Sequence, residues 1–295
     1  MERLAHGYGL VEGPVYSPDH GLIFSDVLGG GVFAVNDAGE VRNVFEHRRG
    51  IGGMSLHQAG ESAAAGGLIV SGRNISYKPF DGGPTLTVLD RDPEAGNVGY
   101  NDITADAAGR IYAGSLGSSP VFDDGREPAA GSLHLIDLDG SSRVVAEGIS
   151  LTNGLGFSPD GATLYHSDSR LQTVWRYDVR ADGTLSEKTA FTKTTVGSPD
   201  GLAVAEDGSV WVALAGGSRV AVFAPDGSER ASIAVAQPMV TSVCFGGSDL
   251  RQLYIVTGSD GAEGENAGSV FVEPVDVAGL PVGVARVRLP AESRS

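Results

Sequence analysis

Along the chain, short runs rich in Val, Ile, Leu, Tyr and Phe are broken by Asp-Gly pairs such as Asp160-Gly161, Asp207-Gly208 and Asp226-Gly227. No long segment places apolar residues at the 3.6-residue spacing of an amphipathic helix, so the pattern predicts short strands joined by tight turns. The pattern also repeats. A polar or glycine pair, a few mostly apolar residues, a turn containing Asp or Gly, and a β-rich strand recur in six copies. These read EGPVYSPDHGLIFSD from Glu12, GGMSLHQAG from Gly52, NDITADAAGRIYAGS from Asn101, NGLGFSPDGATLYHSD from Asn153, DGLAVAEDGSVWVAL from Asp200 and TSVCFGGSDLRQLYIVT from Thr241. They begin 40, 49, 52, 47 and 41 residues apart.

Each copy is followed by a further strand pair, for example Gly31–Val35 with Val41–Phe45, Ser132–Asp137 with Ser142–Ala146, and Arg219–Phe223 with Glu229–Val235. Four strands in ~40–50 residues is the size of one propeller blade. The expectation is therefore an all-β, six-bladed β-propeller of four-stranded antiparallel blades around a central channel, with residues 1–295 as one domain. A β-sandwich shows no sixfold repeat of this length. The stretch Leu4–Leu10 precedes the first copy and is expected to pair with the last blade and close the ring, which removes exposed edges. Two Gly-, Pro- and acid-rich inserts, Gly117–Gly131 and Gly258–Gly268, read as loops, either at a channel mouth or elsewhere on the surface.

The innermost strand of every blade lines the channel, so equivalent positions of the copies lie on one ring around the axis. That ring reads Glu12, Gly52, Asn101, Asn153, Asp200 and Thr241. Carboxylates and carboxamides in a narrow channel are costly to bury unless something satisfies them. A cation does so, and an all-oxygen set suits Ca²⁺, Mg²⁺ or Mn²⁺ better than Zn²⁺, which prefers His or Cys.

Composition narrows the partners. With 37 acidic and 21 basic side chains the net charge is −16, which opposes binding to nucleic acid or to an anionic membrane surface. The partner expected is a small-molecule substrate, and nothing in the pattern specifies an oligomer. The 44 glycines are about twice the ~7% of ordinary usage, in keeping with many turns. The single cysteine, Cys244, lies in an apolar run and reads as a buried, inert thiol. No signal-like N-terminal segment and no apolar run near ~20 residues is present, so the expected location is cytoplasmic.

Four segments resemble, in order and spacing, the SMP-30/gluconolactonase/luciferin-regenerating-enzyme family: Leu10-Val11-Glu12-Gly13-Pro14, Asn101-Asp102 with Asp106-Ala107-Ala108-Gly109-Arg110, Asn153-Gly154-Leu155-Gly156-Phe157-Ser158-Pro159-Asp160, and Ser198-Pro199-Asp200-Gly201-Leu202. The resemblance implies a six-bladed propeller holding one divalent metal ion, with Ca²⁺ foremost here and Zn²⁺, Mg²⁺ or Mn²⁺ as alternatives. It implies Glu12, Asn153 and Asp200 as the metal ligands, Asp200 also as the residue that activates water, and Asn101 as a substrate contact. It does not extend to the arginine that some sugar lactonases carry two residues before the Asn-Asp pair, where this chain has Gly99. Nor does it extend to their acidic residues near Leu116-Gly117-Ser118-Ser119. A hydrophilic aldonolactone is therefore not implied. Arg73, in the loop Ser71–Tyr77, is the cation expected near the mouth and a candidate to bind a substrate carboxylate or carbonyl.

The expected chemistry is metal-dependent hydrolysis of a lactone or related cyclic ester, with the metal polarising the carbonyl. Alternatives are hydrolysis of organophosphates or other esters on the same site, or a non-catalytic propeller that binds a ligand or protein. Other motifs fall away. Ala113-Gly114-Ser115-Leu116-Gly117 is no nucleophile elbow, and the six histidines form no HExxH pair. His166 reads as a satisfied core or supporting histidine. The Asn74-Ile75-Ser76 sequon needs a secretion route, Asp137–Gly140 reads as a hairpin turn, and Trp175 and Trp211 as packing between blades.

Overall fold

The computed structural model describes residues 1–46, 48–58, 66–122 and 125–291. The first strand, β1 (Glu2–Tyr8), precedes five complete four-stranded sheets. The first sheet is β2 (Val11–Ser17), β3 (Gly21–Asp26), β4 (Val32–Val35) and β5 (Val41–Phe45). The second is β6 (Met54–His57), β7 (Gly67–Val70), β8 (Ile75–Pro79) and β9 (Leu86–Leu89). The third is β10 (Gly99–Ala105), β11 (Ile111–Leu116), β12 (Gly131–Ile136) and β13 (Ser142–Ile149). The fourth is β14 (Thr152–Phe157), β15 (Thr163–Asp168), β16 (Thr173–Asp178) and β17 (Thr189–Lys193). The fifth is β18 (Ser198–Val204), β19 (Val210–Ala215), β20 (Arg219–Phe223) and β21 (Glu229–Ala234). The sixth sheet contains β22 (Val240–Gly246), β23 (Gln252–Thr257) and β24 (Gly268–Pro274), and β1 completes it by pairing antiparallel with β24.

Six antiparallel blades thus form a six-bladed β-propeller, with no helix among the described residues. The first strands of the blades, β2, β6, β10, β14, β18 and β22, touch one another in a closed ring. The paired N-terminal strand begins at Glu2, slightly earlier than the hydrophobic pattern places it, and covers the outer edge of β24.

Burial falls from axis to rim, which explains the residue choices. The second strands are buried on both faces, as in Val210–Leu214 of β19, and so read as nearly continuous apolar runs. The outermost strand of the same blade, β21, is exposed along most of its length and carries Glu229, Arg230 and Ser232. Six hydrophobic clusters occupy the six interfaces between neighbouring blades. Trp211 of the fifth blade meets Phe245 of the sixth edge-on at 5.4 Å, and Trp175 packs beside the cluster between the third and fourth. Fully burying each Leu, Ile, Val or Phe in such a seam contributes roughly 1.5–3 kcal/mol, so every blade depends on both neighbours.

The inner strands all run from one mouth, here called upper, to the other. The C-terminal segment crosses the lower mouth. Leu280 N–H donates to Val204 O at 2.9 Å, Ala285 N–H to Leu56 O at 2.8 Å, and Arg286 N–H to Gly109 O at 2.9 Å, which ties the fifth, second and third blades together. Between this segment and the ring lies a cavity of about 560 Å³ with largely apolar walls, among them Leu155, Phe157, Leu202, Val204, Phe245 and Leu280.

Candidate active site

The ring positions sit where the inner strands break their own register. Between β2 and β3 the pairing shifts between Glu12 and Val15, and in other blades between Tyr100 and Ile103, Thr152 and Leu155, and Pro199 and Leu202. A bulge re-aims side chains that strict alternation would turn away. Glycine follows the ring residue in four of the six copies, as Gly13, Gly53, Gly154 and Gly201. At Gly201 the reason is contact: a Cβ there would lie 1.9 Å from Ser242 Oγ, so no larger residue lets β18 approach β22.

Two aspartates anchor the entry to these bulges. Asp26 accepts hydrogen bonds from Gly9 and Leu10 N–H, at 3.0 and 3.1 Å, just before Glu12. Asp168 accepts from Ser150 and Leu151 N–H, at 2.9 and 3.0 Å, just before Asn153.

The amides form a directed chain. Asn101 Nδ2 donates to Thr152 O at 2.8 Å and to Asn153 Oδ1 at 2.6 Å. Asn153 Nδ2 donates to Ser169 Oγ at 2.7 Å, and Ser169 Oγ donates to Pro199 O at 2.6 Å, immediately before Asp200. Asn101 Oδ1 lies over Gly52, where a Cβ would come within 2.1 Å of it. Gly52 is thus a ring position left bare to make room for its neighbour. Thr241 is a staple rather than a ligand, its Oγ1 donating to Val11 O at 2.5 Å and joining the sixth blade to the first.

Glu12 and Asp200, far apart in sequence, interact electrostatically. Burial, followed by the negative charges of Asp200 and Asp102, raises Glu12 well above the usual carboxylate range against a lowering bond from Gly13 N–H. Burial and then Asp102 do the same to Asp200. Asp102 is not among the site residues the sequence pattern predicts. Burial pushes it up to about 7, although it accepts from Ile103 N–H at 2.9 Å. Among the described residues, no cationic side chain offsets these three carboxylates. Asp200 Oδ1 is buried and has no hydrogen-bond partner among the described residues.

These observations test the fit of a metal ion. The Glu12 and Asp200 carboxylates, the latter with an orphaned oxygen, and the amide oxygen of Asn153 offer hard donors of the kind that a divalent cation would satisfy. Among the described residues, no three His, Cys, Asp or Glu side chains could hold an ion alone.

Arg73 is exposed in the loop between β7 and β8, at the upper mouth. Gly72 and Tyr100 exchange backbone hydrogen bonds at 2.7 and 3.1 Å. They hold Arg73 beside Gly99, where a Cβ would stand 3.6 Å from Arg73 Cα. Both inserts also rise at this mouth. Phe122 Cε2 comes within 3.5 Å of a Cβ placed on Gly50, so the first insert reaches back over the second blade; its positions 123 and 124 lie outside the described residues. Ser259 N–H of the other insert donates to Gly9 O at 2.9 Å.

The remaining candidates are structural. His166 Nε2 lies 2.7 Å from Thr152 Oγ1, and burial followed by the charge of Lys188 pushes it down to about 3, so it stays neutral. Ser115 Oγ donates to Ser132 O at 3.1 Å. Cys244 is buried, which pushes its thiol up to about 12. Asp102 lies at the inner end of the lower cavity, whose lining contains neither Glu12, Asn101, Asn153 nor Asp200. Cavity size therefore does not mark the polar site.

The SMP-30/gluconolactonase/LRE-like family model matches residues 10–259. The chain is 30% identical to pentonolactonase XacC of Haloferax volcanii, over 95% of its own length and 96% of that protein. It is 31% identical to a 6-deoxy-6-sulfogluconolactonase of Pseudomonas putida, over 92% of each chain. In three dimensions it superposes on the calcium-binding protein regucalcin of Agrobacterium tumefaciens with a TM-score of 0.83, covering 97% of both chains at 20% identity, a likeness of fold.

Proposed function

The chain belongs to the SMP-30/gluconolactonase/LRE-like family, and from that premise we propose that it is a metal-dependent hydrolase that opens a lactone to its hydroxy acid. Two relatives across nearly the whole chain are lactonases by name, which supports the ester class. The observation that carries the reading is the orphaned Asp200 Oδ1 beside two other raised carboxylates, with no cationic partner among the described residues.

Glu12, Asn153 and Asp200 would hold one divalent ion, Ca²⁺ before Mg²⁺, Mn²⁺ or Zn²⁺ on the all-oxygen donor set. When bound, the ion supplies a Lewis acid that polarises the ester carbonyl and stabilises the charge developing on its oxygen. Asp200 takes a proton from water as the new C–O bond forms at the carbonyl carbon. The ring C–O bond breaks, and the same proton returns to the departing alkoxide, leaving the hydroxy acid. Both N–H groups of Asn101 are committed to Thr152 and Asn153, so Asn101 would meet a substrate hydroxyl through Oδ1, as acceptor. Arg73, beside Gly99, would pair with a substrate carboxylate or carbonyl oxygen.

The test is the metal content of protein purified without added metal, followed by a panel of lactones and phosphotriesters before and after chelation. About one bound divalent ion, with lactone opening abolished by chelation and restored by metal, is the expected result. Metal with activity only on phosphotriesters overturns the substrate class, and a protein that takes up no divalent ion overturns the whole reading.

A further inference from the structure

We infer that Ser169 is a positioning residue that decides which atom of Asn153 faces the channel. The deduction follows from proton counting. A peptide carbonyl only accepts, so the single hydroxyl proton of Ser169 is committed to Pro199 O at 2.6 Å. Toward Asn153, 2.7 Å away, the hydroxyl can then only accept. The NH₂ group of Asn153 must face Ser169, and Oδ1 must face away from it, toward Asn101.

The opposite side gives the same orientation. Asn101 Nδ2 is fixed as a donor by Thr152 O at 2.8 Å, so what it meets on Asn153 at 2.6 Å must be the carbonyl oxygen. An amide without these anchors presents a cation-repelling NH₂ as readily as a ligating oxygen. Ser169 is 7% exposed. The carbonyl it holds belongs to the peptide leading into Asp200, so one hydroxyl sets two proposed ligands on adjacent blades. Partners that orient ligating groups typically govern 10–100-fold in metal affinity. The inference rests on the proposed reading that Asn153 and Asp200 hold the ion.

The experiment is calorimetric titration of chelator-treated protein with Ca²⁺ and, separately, Mn²⁺, using wild type, Ser169→Ala, Asn153→Asp and the double variant. Thermal unfolding of each metal-free protein serves as the folding control. With Asn153 intact, Ser169→Ala is expected to weaken binding ~10–100-fold. In the Asn153→Asp background the loss should shrink to less than about threefold, because a carboxylate offers an oxygen whichever way it turns. Equal losses in both backgrounds would make Ser169 a general support of the fold and overturn its orienting role, as would wild-type affinity in Ser169→Ala. A wild-type protein that binds neither ion overturns the metal reading itself, and this inference with it.

Discussion

Gly52→Ala places one methyl group where the structure leaves none. The backbone tolerates alanine there, since Gly52 is not among the positive-φ glycines. The conflict is steric: the new Cβ would lie 2.1 Å from Asn101 Oδ1 and 3.1 Å from its Cγ, while Asn101 Cα stands 3.4 Å away. The Asn101 amide must swing off Gly52 and release its bonds to Thr152 O and Asn153 Oδ1. Two hydrogen bonds at roughly 0.5–1.5 kcal/mol each give a loss of about 1–3 kcal/mol, or roughly 2–5 °C in Tm for a domain of this size. Displacing a substrate contact by about 1 Å costs on the order of 100-fold, so kcat/KM on the best lactone should fall by about that factor. The assay is thermal unfolding and lactone kinetics on Gly52→Ala, Asn101→Ala and the pair. With Asn101 truncated, the closest remaining contact is an ordinary one. The stability cost of Gly52→Ala should then drop to within ~0.5 kcal/mol of zero. A Gly52→Ala variant that keeps wild-type Tm and kcat/KM refutes the reasoning, and so does a cost that persists in the Asn101→Ala background.

Asp200→Asn keeps an oxygen donor but removes the proton acceptor, so calorimetry should still detect Ca²⁺ while kcat falls ~10²–10⁴-fold; a variant with wild-type kcat removes Asp200 from the chemistry. In metal-free protein, Glu12, Asp102 and Asp200 all bind protons more tightly folded than unfolded. The stability they confer is present below the unfolded value near ~4 and is lost as pH rises through Asp102 at about 7 and through the raised pair. Scanning calorimetry should show Tm falling from pH 5 to pH 8 and Ca²⁺ restoring it at pH 8, whereas a flat metal-free profile contradicts the crowding of carboxylates. Cys244, held up to about 12 by burial, should resist a thiol-specific disulfide reagent in the folded protein and react fully in denaturant; rapid labelling of folded protein would show its seam between blades to be open.

The repeat was legible because each blade uses the same local grammar, an inner strand that starts on a polar or glycine residue and a turn rich in Asp and Gly behind it. The ring followed from register alone. What register could not show is the bulge. Strict alternation would place Asp102 on the face opposite Asn101, yet the shift between Tyr100 and Ile103 lets both act on the channel. Asp102 was therefore invisible as a site residue, although it stands in the same dipeptide. Ser169 was hidden for another reason: its partners, Asn153 and Pro199, belong to two blades, and no local pattern encodes a contact across a seam. The C-terminal crossing of the lower mouth matches no copy of the repeat, and its backbone bonds and the packing of Ala285 and Val287 into the seam between the second and third blades join positions far apart in sequence.

The two ends of the channel divide the work, and the division follows from where polar groups can be satisfied. At the lower mouth the chain closes the ring from outside with the segment through Leu280 and Ala285, and the walls there are largely apolar. At the upper mouth the bulges open gaps in the strand ladder, and side chains there bond to the next blade: Asn101 to Thr152, Ser169 to Pro199, Thr241 to Val11. Those cross-blade bonds replace ladder bonds lost at the bulges, so the polar ring is part of the closure of the propeller. Among the described residues, Glu12 and Asp200 are the members of that ring whose carboxylates have no cationic side chain beside them, and Asp200 Oδ1 has no hydrogen-bond partner there. A fold that satisfies the neighbours of a carboxylate so thoroughly, while leaving one of its buried oxygens without a bond, marks that carboxylate as the place to test for function.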